Sequence, residues 1–125
     1  MAQSTLNQSE IEILTFLWEQ KDSTVGEIHE DILKRREVGY TTTLKQVQRM
    51  HEKGLVKRTS KTGRSHVYKA VVKADKQRKL LVKQLVNSAF DGSTGQLVLH
   101  ALGGNRPDSD EIAEIRKLLD QMDGQ

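Results

Sequence analysis

Five polar residues, Thr42, Lys45, Gln46, Arg49 and Lys53, fall at i, i+3, i+4, i+7 and i+11, so on a helix they share one face. Each can donate a hydrogen bond. Glutamine pairs with adenine N6 and N7, and arginine or lysine with guanine O6 and N7, so Lys45, Gln46 and Arg49 suit the base edges of a DNA major groove. Thr41 and Thr42, with Thr43 beside them, stand in the first turn, where free amides and the helix dipole attract a phosphate oxygen. A second basic group follows at Lys57, Arg58, Lys61 and Arg64. Lys61 and Arg64 are expected on the DNA backbone or in the minor groove, adding affinity without reading sequence. A polar helix face is common on proteins, so the expectation rests on its coincidence with this second group.

Charge along the chain agrees. Residues 1 to 33 hold one Lys against seven acids, residues 34 to 83 sixteen Lys or Arg against three acids, and residues 84 to 125 three against seven. The overall net charge of +3 thus conceals a central block of +13 between acidic ends, which points to a polyanionic partner. A solvated lysine-rich face is the plainer alternative. The absence of Cys excludes disulfides, thiol nucleophiles and thiolate metal sites. No signal-peptide pattern opens the sequence and no apolar run approaches about 20 residues, so a soluble, cytoplasmic protein without membrane insertion is expected.

The elements that must carry these residues follow from caps and periodicity. Asn7 with Glu10 forms a capping box, with Leu6 and Ile11 as its staple, and predicts a helix to Gln20 that buries Ile11, Leu14, Leu17 and Trp18. Thr24 with Glu27 opens a second helix to about Arg36, with Val25, Ile28, Ile32 and Leu33 inward. A third runs from Tyr40 to a stop at Gly54, burying Leu44, Val47 and Met50. Leu55–Ser60 and Ser65–Val72 read as strands joined by the loop Lys61 to Arg64, a hairpin placed as a wing beside the third helix. Helical periodicity then returns from Ala74 to Phe90, breaks at Asp91-Gly92-Ser93, resumes through Leu102, and after the loop Gly103 to Pro107 restarts at Asp108 with Glu111 as capping partner.

The expected architecture is α+β: a winged helix-turn-helix of three helices and a β-hairpin in residues 1–74, then a helical dimerisation region in residues 75–125. The tail is too short and aromatic-poor to stabilise itself alone. Its apolar positions Leu81, Leu85, Phe90, Leu97, Val98, Leu102, Ile112, Ile115, Leu118, Leu119 and Met122 are therefore expected to pair two subunits. Homodimers read DNA as two half-sites, so the partner expected is a palindromic duplex.

Other chemistries find little support. No pair among His29, His51, His66 and His100 has i, i+4 spacing, so no metal site or cofactor is expected. Only Glu37, Glu52 and Asp75 lie in the basic block, too few beside the DNA face for a nuclease metal site, so the chain is not expected to be an enzyme. A winged-helix module binding an acidic protein or RNA is the alternative, and an effector pocket between tail and wing ranks lower.

At these residues the chain resembles the penicillinase-repressor (BlaI/MecI/CopY) family of winged-helix regulators over about residues 4 to 122. The likeness is carried by Leu6, Glu10, Leu17-Trp18, Val25 to Ile32, Tyr40-Thr41-Thr42-Thr43-Leu44, Gln48-Arg49-Met50, Glu52 to Val56, Tyr68, Gln96-Leu97-Val98-Leu99 and Glu111-Ile112. Lys45 and Gln46 stand where small hydroxyl residues are more usual. The resemblance implies a homodimer joined by its C-terminal helices, repressing resistance or stress-response genes from a palindromic operator. It also implies derepression through cleavage by a membrane metalloprotease sensor, here near Leu99, His100 and Ala101. The paired cysteines of copper-sensing members are absent.

Overall fold

Three capping boxes in this chain fix where helices begin. In the structure, a computed structural model that describes residues 6–62 and 65–124, Asn7 Oδ1 accepts from the Glu10 amide at 2.9 Å while Glu10 Oε1 accepts from the Asn7 amide at 3.0 Å. That reciprocal pair starts α1 (Gln8–Gln20). Thr24 and Glu27 do the same for α2 (Val25–Leu33), and Asp108 and Glu111 for the last helix. Between α1 and α2 lies a two-residue strand, β1 (Ser23–Thr24), and α3 spans Tyr40–Glu52. The wing strands are β2 (Val56–Thr62) and β3 (Ser65–Ala70), followed by α4 (Ala74–Ala89), α5 (Thr94–Gly104) and α6 (Ser109–Asp123).

Gly54, with a φ of 81°, ends α3 in the left-handed conformation that glycine adopts without penalty. The Leu55 amide then reaches Met50 O at 2.9 Å and the Gly54 amide His51 O at 3.1 Å, a Schellman stop that turns the chain into β2. β3 lies between β1 and β2 in an antiparallel sheet. The pairing shifts between Arg58 and Ser60, leaving Thr59 as a bulge. The Thr59 hydroxyl donates to Asp22 Oδ2 at 3.2 Å, tying the wing to the turn after α1.

The core of this half draws on three helices and the wing: Ile13, Leu14 and Leu17 from α1, Val25, Ile28 and Ile32 from α2, Val47 and Met50 from α3, Val56 and Tyr68 from the wing. Met50 has no exposed surface, so Met50→Ala leaves a cavity under α3 and is expected to cost about 2–5 kcal/mol, measured by urea unfolding. Trp18 packs against this core and donates its indole N–H to Val72 O at 3.0 Å, while the Arg78 guanidinium lies 5.4 Å from its ring centroid. Both contacts secure the start of α4.

Two compact units result, one up to Val82 and one from Lys83 onward, so the division falls inside α4 and later than residue 74. The second unit contains the end of α4 with α5 and α6. Gly92, at a φ of 82°, and the Ser93 cap, which accepts from the Gln96 amide, separate α4 from α5. The Phe90 and His100 rings meet edge to face at 5.2 Å. Among its described residues only Val86 is a buried hydrophobic. Leu85, Val98, Leu99, Leu102, Leu118, Leu119 and Met122 are exposed in the single chain, and Phe90, Leu97, Ile112 and Ile115 are half-buried. In the first unit Leu81 is half-buried.

Several expectations need correction. Leu33, expected inward, is 47% exposed because α2 ends there, whereas Ile13 is buried and Ile11 only partly so. The second helix stops at Leu33 rather than Arg36, and its following turn frees Arg35 and Arg36 to reach α1. β2 extends through Thr62, so Lys61 is in a strand and not in the loop. Gly103 and Gly104 continue α5 instead of opening a loop.

Candidate nucleic-acid interface

Burial of Thr43, Val47 and Met50 on one side of α3 decides which residues stand on the other. At 100° per residue the opposite face is centred on Thr41, Lys45, Gln48, Arg49 and Glu52, all exposed. Lys45 and Arg49 are where the sequence placed them. Thr41 and Thr42 are exposed in the first turn, and Gly39, the N-cap, contributes no side-chain cap to compete for the free amides there. Gln46 is partly buried on the flank.

Thr43 is not on this surface. It is 2% exposed, and its hydroxyl lies 2.9 Å from His29 Nδ1 on α2. The same imidazole meets the Tyr40 ring edge-on at 5.5 Å. His29 thereby joins α2 to the first turn of α3, which fixes the angle of the helix-turn-helix. A threonine's small polar side chain can be core as well as surface, and its partner lies on another helix, so the residue type alone did not reveal its burial.

The basic block divides in the same way. Arg35 donates to Glu12 Oε2 at 2.8 Å and to Asp31 Oδ2 at 2.6 Å, and Arg36 to Glu12 Oε1 at 2.7 Å. Burial pushes the Glu12 carboxyl up, but hydrogen bonds from Arg36 and Arg35 outweigh it and hold the group below the ordinary carboxylate range. The hydrogen bonds that Arg35 donates to Asp31 and Glu12 hold its guanidinium still more firmly protonated. Lys53 is also engaged: its ammonium is 2.5 Å from Glu10 Oε2, so the expected fifth member of the DNA face is turned toward α1.

On the wing, strand alternation puts Val56 and Arg58 on the helix side and Lys57 on the other. Arg58 is exposed and its Nη1 lies 3.4 Å from His66 Nε2; since guanidinium only donates, the imidazole nitrogen accepts. Lys57 pairs in register with Lys69, both exposed, on the face turned away from α3, and so is not part of the surface with Lys45 and Arg49. The Lys61 side chain and Arg64 lie outside the described residues. Between α3 and the wing is a cleft of about 620 Å³ whose walls include Tyr40, Gln48, Glu52, Arg58 and His66.

Gln48, Tyr40 and His66 were not anticipated at this surface. Gln48 carries the same amide as Gln46, and counting Thr43 rather than Leu44 as the buried flank would have selected it. No group of three or more His, Asp or Glu among the described residues is placed to hold a metal ion. No helix among them is long and apolar enough to cross a membrane.

A recognition-type helix with one cationic face, flanked by a three-stranded wing, agrees with what comparison with known proteins finds. The family model for the penicillinase repressor matches residues 6–121. The chain belongs to the penicillinase repressor family. It is 25% identical over 120 residues to the penicillinase repressor of Staphylococcus aureus, covering 96% of this chain and 94% of that one. The methicillin resistance regulatory protein MecI of Mammaliicoccus sciuri is 25% identical over 116 residues, covering 93% and 94%. The transcriptional regulator BlaI of Mycobacterium tuberculosis (strain ATCC 25618 / H37Rv) is 29% identical over 120 residues, covering 94% and 85%. The relatives named here are, by name, repressors and regulators.

Proposed function

We propose that this chain is a transcriptional repressor that binds double-stranded DNA as a homodimer on a palindromic operator, acting in the cytoplasm on resistance or stress-response genes. The observation that carries the reading is the outward face of α3. Lys45, Gln48 and Arg49 are exposed beside Arg58 of the wing, while Arg35, Arg36 and Lys53 of the basic block are engaged by carboxylates. Arg49 and Lys45 read guanine edges and Gln48 an adenine edge. Thr41 and Thr42 take a phosphate at the helix N-terminus, and Arg58, with Lys61 and Arg64 farther along the chain, neutralises the backbone.

The tail serves as the dimerisation region. Its exposed Leu85, Val98, Leu102, Leu118, Leu119 and Met122 supply the apolar area that a second subunit covers. Two recognition helices then enter successive major grooves about 34 Å apart. Relief by a protease is the finer part of this reading: Leu99, His100 and Ala101 are exposed but lie inside α5, so cleavage there requires the helix to open first.

Capture of duplexes from a randomised pool in excess unrelated DNA tests the function. The expected product is a palindrome with half-sites one helical turn apart; recovery of no consensus would overturn the reading. With that consensus, Arg49→Ala is expected to lose about 1–3 kcal/mol of discrimination at one base position per half-site, read by competition with single-base variants.

A further inference from the structure

We infer that Glu10 is a positioning residue for α3, and that Lys53 serves this carboxylate instead of a DNA phosphate. The inference rests on the DNA-binding reading of α3 and adds to it a residue on a different helix. Glu10 is 1% exposed, although a carboxylate is ordinarily left in water. Its two oxygens have separate tasks: Oε1 closes the capping box with the Asn7 amide at 3.0 Å, and Oε2 receives the Lys53 ammonium at 2.5 Å. The first task fixes the carboxylate on α1. The second brings to it the residue that caps the C-terminus of α3.

A buried carboxylate left without its cation is costly, so the pair tolerates little displacement of either helix end. Lys53 is one turn beyond Arg49, on the helix that also presents Lys45 and Gln48, and any tilt of that end moves those side chains. The positive group also suits the carbonyl end of the helix dipole. Were Lys53 to swing onto a phosphate, Glu10 Oε2 would lose its partner at a position closed to solvent. The side chain is 46% exposed along its length, and its charge is nevertheless committed to the protein interior.

The test compares E10Q, K53M and the double variant in full-length protein, using the duplex captured from the randomised pool. E10Q and K53M are each expected to weaken binding about tenfold, and the double variant no further than the weaker single, because both remove one bridge. Affinity for mixed-sequence DNA should change little, so the specific-to-nonspecific ratio falls; circular dichroism melts confirm that every sample is folded at the assay temperature. K53R, which keeps the charge and a donor, should recover most of the affinity lost in K53M. The decisive reading is the salt slope: a lost phosphate contact reduces it by about 0.9, whereas a positioning residue leaves it unchanged. A reduced slope in K53M with normal binding by E10Q would overturn the proposal, as would additive effects. Should the wild type capture no duplex and show no salt-dependent binding, the DNA reading fails by itself, and amide NMR of the free protein then decides. Shifts in both variants extending along α3 to Lys45 support the bridge's positioning role, and shifts confined to neighbours of the substituted residue refute it.

Discussion

Raising monovalent salt from 50 to 200 mM is expected to weaken operator binding by about 10³- to 10⁵-fold, the response when roughly 6–10 phosphates are neutralised. Each phosphate contact releases condensed counterions, and that release is less favourable when the bulk solution already holds many ions. The basic block overstates how many contacts are available. Arg35 and Arg36 are held by Glu12 and Asp31, Lys53 by Glu10, and Lys57 stands on the far face of the wing. With Lys45 and Arg49 on base edges, Arg58, Lys61 and Arg64 are left for phosphates, three per protomer, hence about six in a dimer and the lower end of that range. Fluorescence anisotropy titrations across the salt series measure the slope. A flat response would exclude a phosphate-dominated interface.

Placing two carboxylates in the tail with L118E/L119E is expected to convert dimer to monomer and to reduce operator affinity by about 10²- to 10⁴-fold, the factor that linking two binding sites contributes. The argument depends on exposure. Both leucines are 52% exposed in the single chain, so charge there removes little packing from the protomer itself. In a dimer the same positions are covered, and an unpaired buried carboxylate is strongly unfavourable. Analytical ultracentrifugation gives the mass, and the melting of the first unit reports whether the effect is confined to assembly. A variant that remains dimeric, or a wild type that is monomeric at micromolar concentration, would remove the tail from the DNA-binding mechanism.

Local chemistry was readable in advance, and chemistry between distant segments was not. Asn7 with Glu10, Thr24 with Glu27 and Asp108 with Glu111 are three residues apart, so both halves of each capping box are visible in one glance at the chain, and all three helices start where those pairs place them. Gly54 marked the end of α3 for an equally local reason, its positive φ. β1 escaped notice because two residues carry no periodicity, and what makes them a strand is pairing with Tyr68 and Val67 far along the chain. On α3, taking Leu44 as the inward flank where Thr43 is the buried one rotates the predicted outward face by about 30°, enough to erase the preference for Gln48 over Gln46. Lys53 and Glu10 are 43 positions apart, and no spacing rule connects them.

The matched lysines of the wing have a further effect on how these molecules behave in a crowd. β2 is an outer strand of the sheet, with one side of its backbone unpaired, and such a border invites a strand from another molecule to add on. Lys57 on this strand is in register with Lys69 of β3, both exposed, and the Thr59 bulge interrupts the flat run of amides. An approaching wing meets its own charge repeated, together with a kinked ledge that cannot be matched in register. Like charge and a kinked border thus make β2 a poor template for a strand from a neighbouring copy.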